Sequence, residues 1–450
     1  MASTYLTRSN GTPTSQQIFT FSAWVKRSGL NPSGNNMELF SQYNDTSNRM
    51  DFRFQTGDTI DFYHTSSLGR ITTNRLFRDT SAWYHIVLRV DTTQATSSDR
   101  YRLYINGVQE TSFSTATYPS QNANLGTNFS TFSIGDDSYG SGDFDGCMTH
   151  IHYTDGQSYD ATAFGETDAT TGEWKIKTSP SVTYGTNGFF ILKDGNSVTD
   201  QSGNGNNFTV AGGTLTNTED NPSNVFATLN TLTLSASQLN IINGNTSKSN
   251  TPTSNAWRSI VSTLGASTGK YYFEVRVDNR EEIDLNNFVV GITDYEQSDD
   301  QTATNGKFFA FSRGYGYHAK NGDKLNNDSV TANGVAYGSS WTTNDIIGCA
   351  FDLDNGKIYF SKNGVWQNSG DPTSGATGTG SAFDIATGYT YFPVMAQYYG
   401  NEHYSFNFGN GVFGNGTVAS AGTNASGNGI FEYDVPTGYT ALCTKGLNGE

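Results

Sequence analysis

The sequence predicts an all-β chain folded as two antiparallel β-sandwich domains in tandem. Three observations predict it. Residues that suit a pleated, half-buried surface are frequent, with 29 Phe and 25 Tyr, and 50 Gly serve the turns between strands. No long segment places apolar residues at the i, i+3, i+4, i+7 spacing of an amphipathic helix. Short runs with two-residue alternation succeed one another, each bounded by Gly, Asn, Asp or Ser, at the interval expected of a sandwich. The 450 residues allow two or three domains at roughly 150 residues each.

The first module opens with IFTFSAWVKR at 18–27, where Phe19, Phe21 and Ala23 share one strand face and Thr20, Ser22 and Trp24 the other. Strands are then expected at 37–43, 50–56, 59–65 and 83–91, through DRYRLYINGVQ at 99–109, and at 132–137 and 148–155. The module closes near 165. Residues 166–228 are turn-rich and weakly apolar, apart from GFFILKD at 188–194. A free linker would not carry Phe189, Phe190, Ile191 and Leu192 in a row, so this stretch reads as a connector packed on the first module.

The second module spans 229–450. It starts with the patchy strand pattern TLNTLTLSASQLNII, followed by strands at 257–264, 269–278, 286–294, 306–320, 346–366, 389–399 and 403–409. A last strand is expected at 430–433, with VPTGYTALC packing back on the sandwich. Asn106-Gly107 and Asn363-Gly364 each join two alternating runs. Asn-Gly accepts the positive φ angles that match a hairpin's twist.

The net charge of −16, with no basic run, argues against a nucleic-acid partner, whose phosphates call for clustered Lys and Arg. Three cysteines, Cys147, Cys349 and Cys443, are odd in number and far apart, so no disulfide framework or Cys/His metal motif is expected. That pattern suits folding in a reducing cytoplasm. The opening MASTYLTRSNGTPTSQQ has no apolar core of a secretory signal. No apolar run approaches the roughly 18 residues of a membrane span, so membrane insertion is not expected.

The order FTFSAWVKR, WYHIVLRVD, YRLYINGVQ and FSIGDD…FDGCMTHIHYTDG resembles a concanavalin-A-like, laminin-G-like sandwich. GKYYFEVRV, FVVGITD, the DIIGCAFDLDNGKIYFSKNGVW hairpin, and YFPVMA followed by YSFNFG resemble a SPRY domain over about 255–410. Both resemblances imply jelly-roll-type sandwiches, in agreement with the strand count. DGQSYDATAFGETDATTGEWKIK, YGTNGFFIL and DQSGNGNNFTV, leading into the SPRY-like module, are similar to virion-surface and tail-fibre proteins of tailed bacteriophages. This resemblance implies a non-enzymatic virion-surface protein, a tail fibre, head fibre or capsid decoration, assembled in the host cytoplasm. Its implied partners are other virion proteins and a host-surface glycan or protein receptor, in a homo-oligomer that phage fibres commonly build as a trimer. The alternative is a purely structural subunit with no receptor.

No catalytic constellation is found. Glycoside hydrolysis needs two carboxylates across the scissile bond. Glu166, Asp168 and Glu173 in ETDATTGE have the wrong spacing and sit in a turn. No Gly-x-Ser-x-Gly is present and no Cys has a suggestive His neighbour. His150 and His152 would share a strand face, with no third metal ligand to name. No cofactor is required. The one cofactor candidate is Ca²⁺, at Asp136, Asp137, Asp143 and Asp145 in GDDSYGSGDFDG, because Ca²⁺ collects six to eight oxygens. The laminin-G-like resemblance implies such a site at a loop rim, while Asp is also an ordinary turn former. DLDNGK at 352–357 reads as a strand entering a turn. Candidate ligand-binding rim residues are Tyr139, Arg313, Tyr315, Tyr317, Lys320, Tyr398, Tyr399 and His403, aromatic or polar groups in loop-like text.

Overall fold

In a computed structural model of the chain, alternation along Ile18–Arg27 sends Phe19, Phe21, Ala23 and Val25 into a large core, while Trp24 faces the opposite side and stacks on His85. The structure describes all residues except 1–3, 31–33, 66–67, 127–128, 138, 141, 234–238, 250–255, 280–286, 295–305, 328–333, 399–401 and 450. The chain divides into two compact units, Met1–Asn217 and Thr218–Glu450. Residues 166–217 fold with the first and 218–228 with the second.

The first unit holds β1 (Thr4–Ser9), β2 (Ile18–Arg27), β3 (Met37–Asp45), β4 (Asn48–Phe54), β5 (Ile60–His64), β6 (Arg70–Thr73), β7 (Tyr84–Asp91), β8 (Tyr101–Ile105), β9 (Val108–Glu110), β10 (Phe113–Thr117), β11 (Thr131–Ile134), β12 (Gly146–Asp155), β13 (Gly165–Thr167), β14 (Trp174–Ile176), β15 (Phe189–Ile191) and β16 (Thr209–Gly212). Eight strands form one sheet in the order β10-β6-β5-β4-β3-β11-β1-β16, six form another in the order β15-β12-β2-β7-β8-β9, and β13–β14 is a separate hairpin. Every described pair in this unit is antiparallel. The core between the sheets is aromatic. Phe19 meets Phe62 edge to face at 6.3 Å, and Phe132 meets Tyr153 at 5.1 Å, contacts worth about 0.5–1.5 kcal/mol each beyond their buried area. The outer side of the six-stranded sheet is covered too. Ala161 and Phe164 pack on Val87 and Tyr104, with Tyr159, Trp174 and Val182 around them.

The second unit holds β17 (Asn240–Ile242), β18 (Ser247–Ser249), β19 (Arg258–Val261), β20 (Lys270–Asn279), β21 (Phe288–Asp294), β22 (Gly314–His318), β23 (Asp323–Leu325), β24 (Val335–Ala336), β25 (Ile346–Asp352), β26 (Lys357–Lys362), β27 (Val365–Trp366), β28 (Phe383–Asp384), β29 (Tyr391–Gln397), β30 (His403–Asn407), β31 (Val412–Phe413), β32 (Gly416–Thr417) and β33 (Thr440–Ala441). One sheet runs β17-β18-β30-β20-β25-β26-β27, with β28 and β33 attached; the other runs β19-β29-β21-β22-β23-β24. Between them lie Phe273, Val275, Val290, Ile292, Phe351 and Phe360, all fully buried. Alternate residues Tyr272, Ala350 and Tyr359 face outward, and Phe431, Val435, Tyr439 and Cys443 close over them.

Several expected elements differ. Residues 430–433 are not a strand; the C-terminal segment pairs through β33, parallel to β20. The backbone N–H groups of Glu432 and Tyr433 instead donate to the buried Glu274 carboxylate. The run at 306–320 is broken by a 3-10 turn at Phe308–Ala310, so only Gly314–His318 is strand. Of the patchy run after 229, only Asn240–Ile242 is strand among the described residues. His150 and His152 do not alternate simply, because β12 bulges against β2 between Thr149 and His152, with His150 at φ 49°. No disulfide joins Cys147, Cys349 or Cys443. Among the described residues no helix is long and apolar enough to cross a membrane.

Both Asn-Gly turns have the expected positive φ angles, 49° and 81° at Asn106-Gly107 and 51° and 77° at Asn363-Gly364. The Asn side chain also does the same thing in each. Asn106 Oδ1 accepts from His85 N at 2.7 Å, and Asn363 Oδ1 accepts from Ile346 N at 2.8 Å. Each Asn N–H donates back to the carbonyl of that same residue, so the side chain extends the sheet by one pair.

Candidate functional site

In β4 the core takes Met50, Phe52 and Phe54, which leaves Arg49, Asp51 and Arg53 on the outer face of the eight-stranded sheet. Their neighbours on β5 and β6 are Asp61 and Arg70; on β3 a bulge between Glu38 and Phe40 brings Glu38 to the same side. Arg53 is the hub, 3.4 Å from Glu38, 3.5 Å from Asp51 and 3.2 Å from Asp61. Arg70 and Thr72 complete the shell of Asp61, at 2.7 and 2.8 Å.

The Asp-rich loop folds over this face. Tyr139 stacks on Tyr43 at 5.2 Å, lies 3.9 Å under the Arg49 guanidinium, and donates its hydroxyl to Asp51 at 2.9 Å. Asp137 shapes the turn by accepting from the N–H groups of Tyr139 and Gly140 at 3.1 and 2.7 Å. Gly142 is needed for closeness, since a Cβ there would stand 3.0 Å from Glu38 Cγ and from Asp137 Oδ2. Between loop and sheet is a cavity of about 290 Å³ lined by Asn35, Asn36, Arg49, Arg53, Asp137, Tyr139 and Gly142.

Burial dominates the electrostatics. It pushes Glu38 well above the usual carboxylic range, with Asp51 adding to the shift and Arg53 opposing it. Burial also raises Asp51, against Arg53 and Arg49. It works against the charge of Arg53 as well, but Glu38, Asp61 and Asp51 outweigh it and raise that group. Glu38 Oε2 and Asp51 Oδ1 are buried with no hydrogen-bond partner. The site therefore offers amide and guanidinium donors, carboxylate acceptors and one aromatic ring in a small concave space, which suits a compact, hydroxyl-rich ligand.

Of the residues singled out from sequence, Asp137 and Tyr139 line this cavity. Asp136 is buried, and its carbonyl accepts from Ser41 Oγ at 2.9 Å. Asp143 is half-buried. Asp145 lies beside Arg27, and burial raises it to about 6 despite that cation. Among the described residues no three His, Cys, Asp or Glu side chains form a group able to hold a metal ion. In the second unit, Tyr315 and Tyr317 are not loop residues. They lie in β22 at 5% and 0% exposure, with Tyr317 donating to Ser339 O, and cannot present their rings to a partner. Arg313 is paired with Asp294 and stacked 4.3 Å from Tyr389. Lys320 is exposed, Tyr398 packs on Trp257 at 5.8 Å, and His403 begins β30 opposite Asn279. Tyr399 lies outside the described residues.

Sequence reasoning missed the cavity-lining Asn35, Asn36, Arg49 and Arg53, and Glu38 and Asp51 of the ion network beside them. The signal present was alternation, since NRMDFRF places three polar side chains on one strand face. Glu166 and Asp168 sit with Lys175 on the β13–β14 hairpin, 3.7 and 2.9 Å from its ammonium. Ser22 Oγ lies 2.9 Å from His85 Nε2, but the Trp174 indole N–H donates to His85 Nδ1 at 2.9 Å. A neutral His85 therefore carries its proton on Nε2 and cannot take one from Ser22.

Residues 1–156 match the family described as the concanavalin A-like lectin/glucanases superfamily, and residues 270–411 match the SPRY domain. The chain thus carries a concanavalin A-like domain followed by a SPRY domain, types typical of protein-binding modules. It is 34% identical over 103 residues to the Ran-binding proteins 9/10 homolog of Drosophila melanogaster, covering 23% of this chain and 10% of that protein. It is 38% identical over 73 residues to the E3 ubiquitin-protein ligase RKP of Arabidopsis thaliana, covering 16% of this chain and 5% of that protein. The chain thus spans a tenth or less of the length of these curated relatives. Among solved structures, the SPRY domain of human HERC1 is similar at 18% identity and a TM-score of 0.29, over 37% of this chain and 91% of that one.

Proposed function

We propose that the chain is a non-enzymatic surface protein of a tailed-phage virion that holds a host-surface glycan in the pocket beneath its Asp-rich loop. The observation that carries the glycan part is the cavity itself. Its donors are Asn35, Asn36, Arg49 and Arg53, its acceptor is Asp137, and its aromatic ring is Tyr139. The virion part rests on the similarity of the 155–210 text to phage surface proteins. On this reading the protein assembles beside other virion proteins as a homo-oligomer, with a trimer as the first expectation.

The test is adsorption of purified full-length protein to host cells and to arrayed host polysaccharide. Asn36 lines the cavity without belonging to the ion network. Asn36→Ala is expected to lower adsorption about tenfold, the loss of one to two hydrogen bonds, with an unchanged melting temperature. Adding EDTA separates a direct polar pocket from a calcium-bridged rim. Labelled antibody on intact virions locates the protein, and light scattering gives its oligomeric state. Wild-type protein that adsorbs to neither cells nor polysaccharide would sink the receptor reading and leave the decoration subunit.

A further inference from the structure

Three of the chain's six histidines, His85, His150 and His152, meet on the outer side of the six-stranded sheet, close enough to oppose one another's charging. His85 is fully buried between two indoles, 4.9 Å from Trp24 and 5.9 Å from Trp174 by ring centroid, tilted 16° and 25°. Trp24 belongs to the sheet; Trp174 belongs to the covering segment. An indole N–H only donates, so its 2.9 Å bond to His85 Nδ1 requires a bare ring nitrogen there. His152 is likewise buried, stacked 3.9 Å from Phe190, with Nδ1 2.9 Å from the Tyr184 hydroxyl. Gly107 and Gly165 seat Trp174, since a Cβ at either would come within 2.6 and 2.4 Å of its ring.

We propose that these groups form an acid-operated clasp: protonation of His85 sets a donor against the Trp174 indole, charging of the buried His152 adds a desolvated cation, and together they lift the segment 159–184 from the sheet. A protonated His85 sets an N–H against the indole N–H. The stack on Trp24 favours a charged imidazolium, but it persists after Trp174 leaves, so it adds to the drive for release. The charged groups around the clasp include Lys193 and Asp194 at His150, Lys26 and Arg89 along β2 and β7, Arg102 beside Tyr104 on β8 and paired with Asp99, and Lys175 on β14. Arg89 is bound to Ser158, and Lys175 to Asp168 and Glu166. The phenols on this face are Tyr104, Tyr159 and Tyr184.

The sign follows from burial, which holds His85 at about 3, His150 at about 4 and His152 well below the ordinary histidine value. Released, they would titrate near 6.5. The open state therefore binds more protons below about 6.5, and the closed state loses stability as pH falls from there.

Hydrogen exchange of the full chain, corrected for the intrinsic pH dependence, tests this. Amides of β13–β14 should lose protection by roughly tenfold per pH unit for each histidine charged on opening, below about 6, while β7 and β8 keep theirs. His85→Asn retains an acceptor for Trp174 and cannot be charged; paired with His152→Asn, it should flatten the response. If those variants do not fold, Trp174→Phe removes the donor but keeps a ring, and should loosen β13–β14 at neutral pH and make the acid response shallower. A wild-type profile flat from pH 7.5 to 4, an unchanged slope in either set of variants, or β7–β8 opening together with β13–β14 would overturn the clasp.

Discussion

At the scale of single residues, Glu274 carries the sharpest consequence. It is fully buried and takes four donors: the Tyr272 hydroxyl and Tyr433 N on Oε1 at 3.1 and 2.9 Å, Asn407 Nδ2 and Glu432 N on Oε2 at 3.2 and 2.9 Å. Burial favours the neutral acid and the four donors favour the anion; burial wins and raises the group to about 7. The folded state thus binds a proton more tightly than the unfolded one. Stability from this group is full below about 4.5 and is lost as pH rises through about 7. Glu274→Gln turns an amide NH₂ toward two donors, an expected cost of about 1–3 kcal/mol, and should remove that pH slope. Urea titrations at pH 5 and pH 8 measure both. Gly364 gives a second expectation. Its φ is 77°, and a Cβ would stand 2.6 Å from the Tyr433 ring. Gly364→Ala should destabilise by about 1–3 kcal/mol through strain and displaced packing, read as a lower denaturation midpoint.

At the scale of elements, β4 shows what the sequence could and could not convey. The alternation of Met50, Phe52 and Phe54 is local text, and so are the Asn-Gly turns, so these strands were legible. The pocket was not, because it depends on distant chain. Tyr139 reaches Asp51 from 88 residues away, and Glu38 arrives through a bulge that no local pattern announces. Tyr315 and Tyr317 were misplaced for a related reason. Gly-Tyr-Gly-Tyr looks loop-like within a run that otherwise reads as strand, yet Gly316 is required because a Cβ would lie 2.4 Å from Val289 Cγ1 on the paired strand. The Arg53 hub on β4 supports a strong expectation. Arg53→Met leaves Glu38, Asp51 and Asp61 without their shared cation and should cost about 3–5 kcal/mol at neutral pH. The loss should shrink in acid, because burial raises Glu38 and Asp51 and favours their neutral forms there, as denaturant midpoints at pH 4.5 and pH 7.5 would register.

For the whole molecule, the two large cores draw on separate stretches of chain, one ending at Phe208 and the other beginning at Ala227. Each unit therefore has what an independent cooperative transition needs. Calorimetry should resolve two transitions, with Arg53→Met lowering one and Glu274→Gln the other; a single transition lowered by both variants would refute the division.

The two hairpin turns look alike but should age differently. Asn-Gly is prone to lose its side-chain amide as ammonia, leaving Asp or isoaspartate. At Asn106 the side-chain Oδ1 accepts from His85 N, and an Asp would keep that acceptor. At Asn363 the amide nitrogen also donates to Asp345 Oδ1 at 2.7 Å. Loss of that amide sets two carboxylates face to face beside the seat of Tyr433. Stored protein mapped by peptide mass should therefore accumulate damage at both turns, with the larger structural cost at the second.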